Sequence, residues 1–263
     1  MSRVTDTIRS AEAAGRGVLV GYLPAGFPTV DESVDAIVAL AEGGADIIEL
    51  GIPYSDPVMD GLVIQRATNL ALENGFRVRD VFDIIRKVTS RVDVPILVMT
   101  YWNPVVQYGI ERFAKDLSES GGAGLITPDL IPDEAAEWIA ASDTFGLDRV
   151  FLAAPSSTDE RLRSTVKHSR GFVYAVSTMG ITGARDDLDA AARTLVGRLR
   201  AVGAQSVCVG VGISTPEQVR DVCGYADGAI VGSLLVKTLE SGGAGAVRSM
   251  TQSLASGTTA ARL

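Results

Sequence analysis

Eight times along this 263-residue chain, a short and nearly unbroken apolar run is followed by a longer segment whose apolar residues recur at helical spacing. The runs fall at about 18–22, 45–50, 96–100, 123–127, 149–153, 172–176, 207–212 and 228–232. Strands covered on both faces lose the apolar/polar alternation, and parallel strands need a helical crossover between them. A further helical pattern, with Val4, Ile8 and Ala11 on one face, precedes the first run and stops at Gly15-Arg16-Gly17. The pattern predicts a single-domain (β/α)₈ TIM barrel over residues 1–254, with an N-terminal helix before strand 1 and a disordered Ser/Thr/Gly/Ala-rich tail over 255–263. A doubly wound open sheet is the structural alternative. The glycine turns after the last two strands come as an adjacent pair, which favours the barrel.

The second run ends in an acid. In Ile48-Glu49-Leu50-Gly51-Ile52-Pro53, side-chain alternation puts Ile47 and Glu49 on one face and Ile48 and Leu50 on the other. A carboxylate cannot be packed into an apolar interior without a large desolvation cost, so Glu49 is expected where the strand opens into a ligand crevice. Gly51, Pro53 and Pro57 end the strand and set a loop carrying Asp56 and Asp60. Two carboxyl groups in different environments can divide acid and base duties. Glu49 is read as functional rather than ion-paired, while the plainer reading of a turn or helix-cap acid is accepted for Asp56 and stays open for Asp60.

Gly210-Val211-Gly212-Ile213-Ser214-Thr215-Pro216-Glu217 follows strand seven and opens a helix, with Ser214 and Glu217 at capping-box spacing. Gly232-Ser233 does the same after strand eight. Glycine admits a ligand to backbone N–H groups, and a helix N-terminus favours an anion there. Gly212, Gly232 and Ser233 are thus candidate phosphate ligands, in loops that contain no Lys or Arg. Gly180-Ile181-Thr182-Gly183 starts a long connection after strand six and suits a lid over a bound substrate.

A net charge of −8 argues against nucleic acid or anionic membrane as a partner, and no apolar run reaches membrane length. Cys208 and Cys223 lack metal-ligand spacing and read as buried thiols, and His168 reads as a solvated residue at a helix end. No metal site is expected, and a cytoplasmic protein is.

With these motifs in place, the chain resembles the tryptophan synthase α subunit from Tyr22 to Ser233. The resemblance is most specific in Ile48-Glu49-Leu50-Gly51, Tyr54-Ser55-Asp56-Pro57 and Asp60-Gly61, and is supported by Gln65, Tyr101, Asn103, Pro128-Asp129-Leu130 and Tyr174. It implies retro-aldol cleavage of indole-3-glycerol phosphate to indole and glyceraldehyde 3-phosphate, with indole passed to a β subunit in an α2β2 complex. It implies no cofactor in this chain, pyridoxal phosphate belonging to the partner. By position, Glu49 becomes the acid/base and Asp60 the partner of the indole N–H. Tyr22, Tyr101, Tyr174, Thr182, Gly183, Gly212, Ile230, Gly232 and Ser233 become substrate-binding residues, and Asp56, Pro57, Met59 and Asn103 partner contacts. The chain departs from the family pattern at Tyr22, where Phe is common, and at Met59, Leu62, Ile131 and Thr178. A phosphosugar isomerase or epimerase on the same barrel, or a regulatory subunit with weak catalysis, are the competing functions. The first would more typically place Lys, Cys or His at the mouth; the second sits poorly with an intact Glu49 and Asp60.

Overall fold

The computed structural model describes residues 2–176 and 185–259, the backbone alone for 185–188. Eight parallel strands close in chain order into a barrel, the first pairing with the eighth. They are β1 (Val18–Pro24), β2 (Ile47–Gly51), β3 (Ile96–Met99), β4 (Gly124–Thr127), β5 (Asp148–Ala153), β6 (Val173–Val176), β7 (Val207–Gly210) and β8 (Gly228–Val231). The helices are α1 (Arg3–Ala13), α2 (Val30–Glu42), α3 (Leu62–Glu73), α4 (Asp80–Thr89), α5 (Trp102–Tyr108), α6 (Ile110–Glu119), α7 (Ala136–Thr144), α8 (Asp159–His168), α9 (Arg185–Ala201), α10 (Pro216–Cys223) and α11 (Ser233–Ala255). The expected barrel and its leading helix are both present, and the open sheet is excluded by closure.

The continuous apolar strands feed two cores. Ile48, Leu50, Val98 and Leu125 point outward against the helices, while Val18, Val20, Ile47, Leu97, Ile126, Val150, Cys208 and Ile230 fill the barrel. Helix α1 plugs the bottom of that interior with Val4, Ile8 and Ala11. Its N-cap Ser2 is tied to β5 by a 2.5 Å hydrogen bond from Ser2 Oγ to Asp148. The closed lower end leaves the strand C-termini as the only mouth of the barrel interior among the described residues.

Several local expectations are corrected. Helix α5 is masked in the sequence by Asn103-Pro104, which reads as a turn; a proline in the first helical turn gives up no hydrogen bond the helix needs. Between β4 and β5 the helical pattern from Pro132 begins as a 3-10 turn, Pro132–Glu134, before α7. The capping box of α10 is Thr215 with Gln218, one residue beyond Ser214 and Glu217, because Pro216 occupies the first helical position. The tail is packed as far as it is described: Gly257 and Thr258 are buried, and Gly17 N donates to Thr258 O at 2.9 Å. A Cβ on Gly257 would lie 2.1 Å from Pro216 O, so the small residues that suggested disorder permit close approach. His168 closes α8 half-buried, with Nδ1 2.8 Å from Ser164 O, rather than solvated. No helix among the described residues is long and apolar enough to cross a membrane.

Candidate active site

Glu49 points into the barrel from β2, with Tyr22 of β1 and Leu97 of β3 as its Cα partners on either side. It is 1% exposed, and its Oε1 has no hydrogen-bond partner. Burial raises its pKa to about 8, so the group holds a proton at neutral pH that an exposed glutamate would have lost. Two phenols approach it across the mouth. A Cβ on Gly51 would fall 2.3 Å from the Tyr22 hydroxyl, and one on Gly210 would fall 2.7 Å from that of Tyr174. Each glycine clears the space into which a tyrosine of the neighbouring strand leans. Burial above all pushes both phenols well beyond their ordinary range, so they remain neutral donors. The charge of Asp60 adds to the effect at Tyr22, and the charge that Glu49 would carry adds to it at Tyr174.

Asp60 stands at the end of the loop after β2, half-buried. Burial raises its pKa and a hydrogen bond with Tyr101 opposes the rise. The loop is held by Tyr101, whose hydroxyl accepts from Met59 N at 2.9 Å, and by Gln65, whose Nε2 donates to Asp60 O at 2.7 Å. Tyr54 lies against the Tyr101 ring with centroids 5.3 Å apart, and Asn103 Nδ2 donates to Tyr54 Oη at 3.2 Å. Asp129 accepts from Trp102 N at 2.9 Å and so caps α5, the helix that carries Asn103. The two acids therefore sit in unlike settings, one dry and without a partner, the other wetter and held by a phenol. Burial raises both, but only at Asp60 does a hydrogen bond oppose the rise, the kind of contrast by which two carboxyl groups can divide acid and base duties.

On the opposite side of the mouth, Gly212 follows β7 with φ +71°, a conformation that favours glycine. Gly232 precedes Ser233 at the start of α11, which has no side-chain cap. The first N–H groups of a helix lack intrahelical acceptors, which makes this terminus suited to an anion. Ile230 lines the barrel interior on β8. The candidate lid residues Thr182 and Gly183, with Thr178, lie outside the described residues. Of the candidate partner contacts, Asp56 and Asn103 are exposed and Pro57 and Met59 half-buried. Around the same rim Val58 is 83% and Leu62 69% exposed, joined by Val106 and Ile131. The clearance roles of Gly51 and Gly210 are not anticipated by the sequence reading; a glycine two residues beyond an inward-facing residue, Glu49 for Gly51 and Cys208 for Gly210, and hence on its face, is the available signal.

Fold and site together define an eight-stranded barrel with two carboxyl groups in unlike settings at its C-terminal mouth. The family model described as "Tryptophan synthase alpha chain" matches residues 8–261. The chain is 67% identical over 257 residues to the tryptophan synthase alpha chain of Leifsonia xyli subsp. xyli, covering 98% of each. It is 54% identical to that of Mycolicibacterium paratuberculosis, covering 97% of this chain and 94% of that one. Among solved structures, a tryptophan synthase chain from Mycobacterium tuberculosis superposes with a TM-score of 0.93 at 53% identity, covering 100% of this chain and 99% of that one. The α subunit from Legionella pneumophila superposes at 0.87 with 32% identity, covering 97% and 98%. The chain belongs to the tryptophan synthase α chain family. It is accordingly a carbon–carbon lyase of tryptophan biosynthesis. In this family the α chain carries no cofactor, pyridoxal phosphate residing in the β subunit with which it forms α2β2 complexes.

Proposed function

We propose that this chain cleaves indole-3-glycerol phosphate to indole and glyceraldehyde 3-phosphate and passes the indole to a β subunit. The observation that carries the reading is Glu49, a buried acid kept protonated to about pH 8 with Oε1 free of any partner. Protonation of indole C3 by Glu49 places positive charge on the ring nitrogen, where the Asp60 carboxylate stabilises it. Glu49, now a carboxylate, takes the proton of the hydroxyl on the adjoining glycerol carbon. That oxygen becomes the aldehyde, the bond from its carbon to C3 breaks, and the electron pair returns to the ring as neutral indole. Phosphate held by the backbone at Gly183, Gly212, Gly232 and Ser233 anchors the chain, and Tyr22, Tyr101, Tyr174, Thr182 and Ile230 enclose the ring and glycerol.

The exposed rim supports docking of the partner. Val58, Leu62, Val106 and Ile131 leave apolar surface open next to Asp56, Pro57, Met59 and Asn103, more than a solvent-facing loop needs. Asn103 reaches Asp60 through Tyr54 and Tyr101, so a partner seated there acts on the acid pair through one connected segment. Purified protein should release indole from indole-3-glycerol phosphate, and Asp60→Asn should slow this on the order of 10²-fold. Absence of indole, or full activity in the Asp60 variant, would overturn the assignment. Added β subunit should co-elute with the chain and stimulate release; neither happening would remove the hand-off.

A further inference from the structure

A glycine joins the loop after β2 to helix α3. Gly61 is the N-cap of that helix, at φ −71° and ψ 160°, and gives it no side-chain cap. A Cβ on Gly61 would meet nothing within 4 Å. Neither a positive φ nor a close approach calls for glycine here, so what the residue adds is freedom at the joint between Asp60 and the helix. One side chain closes that joint. Gln65, one turn into α3, reaches back with Nε2 to the Asp60 carbonyl at 2.7 Å, while its own N–H donates to Gly61 O at 3.0 Å. Buried Thr68 donates to the Gln65 and Ile64 carbonyls at 3.1 and 3.0 Å and holds the turn from which the amide reaches. On the other side of Asp60, the Tyr101 hydroxyl accepts from Met59 N at 2.9 Å. The loop is thus tethered at neighbouring residues, once from the barrel and once from the helix.

We propose that Gln65 is a positioning residue for Asp60: its amide, anchored on α3, fixes the main chain at a flexible joint and so sets where the Asp60 carboxylate stands at the mouth. The proposal rests on the retro-aldol reading for its catalytic consequence, because a carboxylate that meets charge developing on the ring nitrogen has to be in place when that charge appears. The bond is made to the carbonyl and not to the carboxyl group. Gln65 therefore governs the place of Asp60 and leaves its titration to burial and Tyr101.

The test is Gln65→Met, which keeps the length and helix-forming character of the side chain and removes the donor. It should lower kcat about tenfold with KM within about twofold of wild type, and both limbs of the pH profile should stay in place. In an Asp60→Asn background the same change should cost less than about twofold, since no carboxylate is left to misplace. Gly61→Ala, which removes the freedom that the amide restrains, should restore kcat of Gln65→Met by about threefold and change wild type little. A further readout needs no turnover: hydrogen exchange at the Met59 and Asp60 amides should quicken about threefold or more in Gln65→Met. If wild type releases no indole, the proposed function fails and this exchange still decides whether Gln65 holds the segment. Equal losses of kcat with and without the Asp60 carboxylate, or unchanged exchange, would overturn the proposal.

Discussion

Replacing Glu49 by Gln should stabilise the fold while abolishing indole release, and the gain should depend on pH in a defined way. Burial raises the folded pKa of Glu49 from 4.5 to about 8, so between those values the native protein holds a proton that the unfolded chain has released. Stability is therefore lost as pH rises through this window, because ionising the folded state there means charging a group in a dry interior. Each pH unit climbed inside the window costs about 1.36 kcal/mol. The wild-type penalty is then about 1 kcal/mol at pH 5, about 3 at pH 7 and about 5 at pH 9, where it levels off. Glutamine fills the same space with a group that never ionises, so it escapes the pH-dependent part. Urea titrations of both proteins at pH 5, 7 and 9 should give a stability difference that grows by about 4 kcal/mol across the series in favour of Gln. Both also bury an oxygen without a partner, a cost that is constant with pH and drops out of the slope. A difference flat with pH would mean that Glu49 is ionised in the fold at ordinary cost, and the proton-donor role argued from its burial would go with it.

Tyr101→Phe should lower kcat about tenfold and move its acid limb upward, because Met59 N loses its acceptor and Asp60 its hydrogen-bond donor. Steady-state kinetics across pH would show it, and an unchanged limb would detach Tyr101 from Asp60. Gly51→Ala should cut kcat/KM by on the order of tenfold or more, since the new Cβ lies 2.3–2.7 Å from the hydroxyl and ring edge of Tyr22, a rigid group that must shift bodily. The same change in a Tyr22→Leu background should cost far less; equal losses in both backgrounds would show that the glycine serves its own backbone and not the ring.

What can be read in the sequence, and what cannot, divides along one physical line. Side-chain alternation alone puts Glu49 on the inner face, because strand geometry is local and its period is fixed. A parallel sheet covered on both faces follows from strands apolar throughout, as Ile47 inside and Ile48 outside illustrate, whereas its closure is signalled only by the adjacent glycine turns after β7 and β8. Asp60 is legible as an acid in a loop, yet nothing local announces that Tyr101, 41 positions on, holds it through its hydroxyl, or that Gln65 holds its carbonyl. The Tyr101 contact exists only once β3 lies beside β2, whereas the Gln65 contact closes within five residues at the start of α3. Glycine is the hardest residue to read for the same reason. At Gly212 its φ of +71° answers a backbone demand that a strand-to-helix turn makes visible. At Gly51 no positive φ is involved, and the residue is small because a ring from the next strand occupies the volume its Cβ would take. The two cases look alike in a single sequence, and the second shapes the candidate site: a side chain at 51 would displace the Tyr22 ring that lies between Gly232 and Gly51, so the emptiness on the face of Glu49 is as much a part of the candidate site as the carboxyl group.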